Sequence, residues 1–259
     1  MKLCCTSYSM RDYITRGKMD FFSYMDFGRD LGWDAVELHY RHFPTMERDY
    51  LRKLKAHAVK SGVELGIVSG ANNFTVPDAR EREENVKGLI RALEVAEYLG
   101  CPQVRAFGGP VPEGIPKERA TEWCIECFRK VMPVAEDKGI VVGLENHGGV
   151  TLTSDDVLGI LRAVDSEWLG LNMDTNNFPK EERYEHMEKV APHIVQIHAK
   201  VLEADEKKGD RTIDYDRVLS IARKAGFNGF VSIEYEGKED AWKGVTKASK
   251  YFRAVLRGS

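Results

Sequence analysis

Five times in this chain a charged amphipathic stretch runs into a glycine and then into a short apolar segment. The junctions are Asp30-Leu31-Gly32-Trp33, Lys60-Ser61-Gly62-Val63, Tyr98-Leu99-Gly100-Cys101, Asp137-Lys138-Gly139-Ile140 and Lys224-Ala225-Gly226-Phe227. A glycine there ends a helix, because it enters the left-handed conformation of a C-terminal cap without the steric cost of a Cβ. Each junction predicts a helix handing over to a strand. Apolar runs of strand length cover residues 3–8, 35–40, 63–69, 103–107, 140–146, 169–174, 194–198 and 230–235. Strands alternating with helices of ten or more residues, at about 30 residues per unit, predict parallel βα units. Eight such units in 259 residues predict an α/β fold, a (β/α)8 TIM barrel, as one domain over residues 1–259. A doubly wound open sheet is the competing architecture. It would carry fewer strands and a glycine-rich phosphate loop, and neither G-x-G-x-x-G nor a Walker-type sequence occurs.

Composition narrows the class of partner. A hydrophobic content of 42% is too high for a disordered chain, and no apolar run reaches the roughly 18 residues of a membrane span. With 38 basic against 41 acidic residues the chain has no charge excess to hold nucleic acid or an anionic membrane. Met1-Lys2-Leu3-Cys4-Cys5-Thr6 reads as a first strand rather than a secretory leader, so a cytoplasmic protein is expected. The odd count of five cysteines fits free thiols in a reducing compartment. Cys124 and Cys127 form a C-x-x-C inside a predicted helix over residues 116–138, and without a second pair they read as a buried helix face. The polar connections at 72–80 and 203–211 are the segments able to fold over a barrel mouth.

In a barrel, chemistry belongs at the C-terminal ends of the strands, and alternate side chains point inward. The fifth strand sets Gly143, Glu145 and His147 on one parity, the sixth Asn172 and Asp174, the seventh Gln196, His198 and Lys200, the eighth Ser232, Glu234 and Glu236. Large apolar residues fill the other parity in each. Glu145, Asp174, His198 and Glu234 therefore converge from four neighbouring strands. Taken singly, a strand-end glutamate is ordinarily solvated or salt-bridged and a lone histidine a satisfied core residue. Three carboxylates gathered at one height would repel one another unless a cation sat among them. Hard oxygen donors with one imidazole suit one divalent metal, with Mn²⁺ placed first and Mg²⁺, Co²⁺ and Zn²⁺ also compatible. The same parity turns Glu37 and His39 inward from the second strand and Arg105 and Phe107 from the fourth. These four would bind substrate hydroxyls or cover an apolar sugar face; equally, Glu37 and Arg105 could form an ion pair behind the site. His42, His57, His186 and His193 read as surface positions.

The segments Val36-Glu37-Leu38, Gly143-Leu144-Glu145-Asn146-His147-Gly148, Leu171-Asn172-Met173-Asp174-Thr175, Gln196-Ile197-His198-Ala199-Lys200 and Ile233-Glu234-Tyr235 resemble the xylose isomerase-like TIM barrels. More closely they resemble the sugar phosphate isomerase/epimerase group, which holds ketose 3-epimerases, hydroxypyruvate isomerase and inosose dehydratase. Ile213-Asp214-Tyr215 at the start of the seventh helix extends the likeness. The resemblance implies that Glu145, Asp174, His198 and Glu234 bind one divalent metal and that the substrate is a small polyhydroxylated molecule. Three departures limit it. Asn177 stands where ketose 3-epimerases carry a histidine, Val201 follows Lys200 where an aspartate is common, and no arginine follows the seventh strand closely enough to grip substrate. The related three-zinc endonucleases need additional histidines that are missing here.

The expected chemistry is proton transfer next to a carbonyl through an enediolate, as in a sugar isomerase or epimerase, with the metal as Lewis acid and Glu145 and Glu234 as acid and base. His147 offers an alternative. As acid/base it would favour elimination, in a lyase or dehydratase acting on a keto-sugar, cyclitol or 3-keto-glycoside. A non-catalytic sugar-binding barrel is the third reading. Asn177 and Lys200 join Glu37, His39, Arg105 and Phe107 as expected substrate contacts. Arg105, Lys200, Lys207 and Lys208 lie in no phosphate-cradling loop, which favours an unphosphorylated substrate. A homo-oligomer is allowed but not specified.

Overall fold

In the computed structural model, which describes residues 1–257, parallel pairing runs through eight strands and closes on itself. The strands are β1 (Lys2–Thr6), β2 (Ala35–His39), β3 (Glu64–Ser69), β4 (Gln103–Phe107), β5 (Val141–Glu145), β6 (Leu169–Asp174), β7 (Ile194–Val201) and β8 (Phe230–Tyr235). Leu3 pairs with Val231 to seal the ring, and Cys5 pairs with Val36 on its other side. Among the described residues eight longer helices follow them, besides a short one at Arg11–Thr15: α1 (Phe21–Leu31), α2 (Arg48–Ser61), α3 (Ala79–Leu99), α4 (Lys117–Lys138), α5 (Ser154–Val164), α6 (Arg183–Val190), α7 (Tyr215–Lys224) and α8 (Ala241–Arg257). The five junction glycines all adopt positive φ, between 62° and 84°. That conformation, which they reach without strain, releases each chain from helix into strand.

Side chains of one parity pack outward against the helices and form the main core; the other parity fills the barrel. At the N-terminal end of the barrel the filling is apolar, where Cys4, Ala35, Ile67 and Phe230 make a small cluster of their own. Above it the inward positions are mostly polar: Glu37, Ser69, Gln196, His198, Ser232 and Glu234 are all buried. This switch from an apolar floor to a polar ceiling places the chemistry at the C-terminal end.

The two long polar connections are well tied down, and one histidine expectation needs correction. The connections at 72–80 and 203–211 are pinned to neighbouring segments. Phe74 and Thr75 are fully buried, and Phe74 N–H bonds the carbonyl of Gly108 at 3.0 Å, which ties the first connection to the loop after β4. Residues 204–205 and 209–210 form a two-stranded antiparallel ribbon, with Gly209 lying close against Tyr251 of α8. Asp210 locks its base by accepting from Leu202 and Glu203 N–H, each at 2.7 Å. His186 is not on the surface: it is buried against Phe178, and its Nδ1 meets Ser154 Oγ at 2.9 Å. All five cysteines are buried free thiols, including the C-x-x-C pair on the inner face of α4. Among the described residues no helix is long and apolar enough to cross a membrane.

Candidate metal centre

Glu37 is the foundation of the site. It is fully buried, and its carboxylate accepts from Ser69 Oγ, from Ser232 Oγ at 2.6 Å, from Gln196 Nε2 at 2.9 Å and from His198 Nε2 at 2.9 and 3.0 Å. Burial alone would raise its pKa, but His198 and Arg105 outweigh that and hold it below the usual carboxylate range. With every lone pair engaged, Glu37 has nothing to offer a substrate, so the expected substrate contact is corrected to a support. The Glu37–Arg105 pair is replaced as well, because Arg105 Nε lies 3.2 Å from Glu145 Oε2 instead.

The consequence of Glu37 lies in His198. A carboxylate at Nε2 fixes the ring with its Nε2 proton directed downward and leaves Nδ1 facing the mouth. Around that nitrogen the four residues close in: one donor atom each from Glu145, Asp174, His198 and Glu234 lies within 4.8 Å of every other. Each is positioned by its strand and by a polar neighbour. Asp174 Oδ1 accepts from Asn176 and Asn177 N–H at 2.7 and 3.1 Å, which turns Oδ2 toward the centre. Asn146, next to Glu145, spans β5 and β6 by donating to the Asp174 carbonyl at 3.0 Å and accepting from Asp174 N–H at 2.7 Å. Glu145 receives Asn172 Nδ2 at 3.3 Å and Asn177 Nδ2 at 3.4 Å.

The protein alone satisfies this cluster only in part. Asp174 Oδ2, His198 Nδ1 and Glu234 Oε2 are buried, and what reaches them is the Lys200 ammonium at the two carboxylate oxygens and carboxylate oxygens 3.5 Å from the imidazole nitrogen. Burial pushes Glu145 up and Asp174 up to about 7. Burial also acts against ionised Glu234, yet Lys200 and His198 overcome it and hold that carboxyl well below the usual range. Three buried carboxylates and an imidazole nitrogen aimed at one point are a donor set that a divalent cation satisfies. The donor set of three carboxylates and one imidazole thus fits such an ion.

Around this centre the remaining residues divide. Lys200 Nζ contacts Glu234 Oε2 at 2.5 Å, Glu236 Oε1 at 2.6 Å and Asp174 Oδ2 at 3.2 Å. Its three donors are therefore committed to carboxylates, not free for substrate. Arg105 also donates to the Gly70 carbonyl at 3.1 Å and lies 3.9 Å from the Phe107 ring centroid. Phe107, half-buried, meets the His147 ring at 4.7 Å, and His147 is exposed at the rim. Although the residue opens to solvent, its ring packs against Phe107, and that partial desolvation together with the charge of Arg105 lowers the His147 pKa. On the opposite wall His39 stacks near His42 at 5.0 Å and Tyr8 at 5.8 Å. His39 is itself buried, while Asn177 lies half-buried beside Glu145.

Sequence reasoning passed over several supports. Ser69, Gln196 and Ser232 hold Glu37, Asn146 and Asn172 brace the carboxylates, and Glu236 anchors Lys200. Inward parity is the available signal for all of them except Asn146, which alternates with Glu145 and falls on the other side of its strand. Tyr215 explains the Ile-Asp-Tyr segment: Asp214 caps α7 through Arg217 N–H at 3.0 Å, and the Tyr215 hydroxyl joins the Lys200 carbonyl at 2.5 Å to Thr175 Oγ1 at 3.1 Å.

Comparison with known proteins places this arrangement. An uncharacterized protein of Methanocaldococcus jannaschii is 29% identical over 191 residues, an alignment that takes in 68% of this chain and 65% of that protein. The 2-oxo-tetronate isomerase of Haemophilus influenzae is 22% identical over 247 residues, covering 89% of each. Among solved structures, the IOLI protein with a binding zinc atom superposes with a TM-score of 0.80 at 20% identity, over 100% of this chain and 99% of that one. The sequence profile of the xylose isomerase-like TIM barrels matches residues 25–255, and with the closed eight-stranded barrel this shows that the chain belongs to that family.

Proposed function

We propose that the protein is a divalent-metal-dependent sugar isomerase or epimerase, with Mn²⁺ as the first choice of ion and a small unphosphorylated polyhydroxylated carbonyl compound as substrate. The observation that carries this reading is the buried cluster of Glu145, Asp174, His198 and Glu234, whose four donor atoms lie within 4.8 Å of one another. A bound divalent ion supplies Lewis-acid stabilisation of the negative charge that develops on adjacent substrate oxygens when a neighbouring carbon loses its proton. The rest is the work of side chains. Glu145 and Glu234 stand on β5 and β8, with the two strands that carry Asp174 and His198 between them, so each can reach a different face of a substrate held between them. One takes the proton and the other returns it, to the neighbouring carbon in an isomerase or to the same carbon in an epimerase. Arg105 keeps Glu145 in place, and Lys200 keeps Glu234. Phe107 offers a flat apolar surface for a sugar face, with Asn177 and His39 as polar contacts at the rim. The isomerase named among the relatives, aligned along most of both chains, supports the same chemistry.

The test is wash-out of a substrate α-proton into D₂O across a panel of ketoses, 2-oxo acids bearing hydroxyls, inososes and 3-keto-glycosides, with Mn²⁺ and with chelator. Metal-dependent exchange on at least one member, abolished in Glu234→Gln and in Glu145→Gln, is the expected result. Turnover by both variants at the wild-type rate would refute the assignment.

One observation favours a second reading, elimination by a lyase or dehydratase. The His147 ring makes no side-chain hydrogen bond among the described residues and stands exposed two residues beyond Glu145. A ring so placed is free to protonate a leaving hydroxyl. His147→Ala distinguishes the two: exchange retained with product formation lost assigns it to elimination, whereas full turnover removes it from the chemistry.

A further inference from the structure

Lys200 sits where a positive charge competes with a metal. Its ammonium lies 2.5 Å from Glu234 Oε2 and 3.2 Å from Asp174 Oδ2, on two of the four residues whose donor atoms converge on the centre. A divalent ion bound at ordinary distances of about 2.0–2.6 Å from the same oxygens would bring two cations close together in a buried pocket, where little water screens them. The third partner of Lys200 points the other way. Glu236 Oε1, at 2.6 Å, belongs to a side chain that is 33% exposed and borders a cavity of about 560 Å³ with Leu202, Arg211 and Lys238. Glu236 stands two residues beyond Glu234, on the same parity and nearer to solvent. Lys200 is thus held between two metal-facing carboxylates and one carboxylate outside the cluster.

On the reading that the cluster binds a divalent ion, we propose that Lys200 is a built-in competitor for that ion and that Glu236 is its alternative partner, so that the pair sets the affinity of the centre. Without the ion, the ammonium neutralises Asp174 and Glu234 and keeps the barrel mouth folded. With the ion bound, Lys200 retains Glu236 and yields the other two oxygens. The affinity is the difference between these arrangements, and both residues enter it with opposite sign. Removing Lys200 frees two ligands and should tighten binding. Removing the charge of Glu236 leaves Lys200 no partner except the ligands and should weaken it. The second effect must vanish when Lys200 is absent, because Glu236 acts through it.

The experiment uses the full chain, stripped with chelator and titrated calorimetrically with MnCl₂ at one pH and ionic strength. Wild type, Lys200→Met, Glu236→Gln and the double variant form a cycle. Expected are binding tighter by about tenfold or more in Lys200→Met, weaker in Glu236→Gln, and no effect of Glu236→Gln in the Lys200→Met background. Metal-free Lys200→Met should also melt below the metal-free wild type, and Mn²⁺ should raise its melting temperature by more. Equal or weaker binding by Lys200→Met overturns the proposal. Should that variant not fold, unchanged affinity in Glu236→Gln, whose side chain is partly exposed, overturns it alone. Failure of the wild type to bind any Mn²⁺ would instead remove the metal reading itself, a result distinct from either.

Discussion

Glu37→Gln changes one oxygen to an NH₂ group in a side chain that touches no substrate, and its effect can be worked from the hydrogen bonds. Oε1 accepts from Ser69 and His198, and Oε2 accepts from Ser232, Gln196 and His198. If the new amide nitrogen replaces Oε2 it faces the Gln196 NH₂; if it replaces Oε1 it faces Ser69, which must then turn its proton elsewhere. His198 Nε2–H loses its ionised partner in both cases. An unsatisfied buried donor costs about 1–3 kcal/mol, so the fold is weakened but not lost. The larger effect falls on the imidazole. Facing a neutral amide, His198 can move its proton to Nδ1, the atom that would bind a metal. Loss of such an outer partner lowers metal affinity by about 10–100-fold, equivalent to about 1.4–2.7 kcal/mol. Calorimetric titration of chelator-stripped wild type and variant with MnCl₂ measures this directly, with circular dichroism to verify folding. A folded Glu37→Gln that binds Mn²⁺ within twofold of wild type would refute the argument that Glu37 prepares His198.

Two further outcomes follow from the walls of the site. His39 is buried, and desolvation, with the positive charge of Arg105, lowers its pKa to about 3 from 6.5. The unfolded chain therefore binds a proton that the folded chain refuses between those values, and stability falls as pH drops through that window, by at most about 1.4 kcal/mol per pH unit for this residue. Urea unfolding of His39→Gln should show a shallower loss from pH 6 to pH 4 than wild type; parallel curves would contradict it. Gly149 has φ of 53°, and a Cβ there would lie 2.2 Å from the Gly109 carbonyl oxygen. Gly149→Ala should cost about 2–4 kcal/mol by urea denaturation, from left-handed strain plus overpacking. Gly139→Ala, with φ of 62° and open space around it, is the control and should cost no more than about 2 kcal/mol. Equal losses in the two would show that the junction of the β4 and β5 loops is softer than it looks.

The barrel and its inward residues were legible because both rest on local rules. A glycine can end a helix wherever it stands, and alternation along a strand needs no knowledge of neighbouring strands. Register shifts beside Val36/Glu37 and Leu171/Asn172 did not disturb the parity of the residues that follow. What alternation cannot give is height and reach across the barrel. Glu37 and His198 lie on strands that are not neighbours, and only the stagger of the closed sheet brings them together. Read along its own strand, Glu37 looks like a mouth residue; in the barrel it lies under the mouth, saturated. His186 failed for the same kind of reason, since it is buried by Phe178 and Ser154, which belong to other segments.

The two glutamates proposed for proton transfer are equivalent in sequence pattern but not in surroundings. Glu145 is paired with a guanidinium that is 2% exposed, anchored on a backbone carbonyl and stacked on Phe107. That guanidinium is itself held in place, and Asn172 and Asn177 donate to the Glu145 carboxylate. Glu234 is paired with a flexible ammonium that has a second carboxylate to turn to. A rigid acid/base on one side and an adjustable one on the other make the two faces of a bound substrate chemically distinct. On the proposed reading, where the proton is returned would depend on how the substrate is turned between them, and Phe107, His147, Asn177 and His39 are the residues placed to turn it. A shared metal cluster would then permit proton loss in every such barrel while the residues around the mouth choose its sequel, which is why the fold by itself does not fix the reaction.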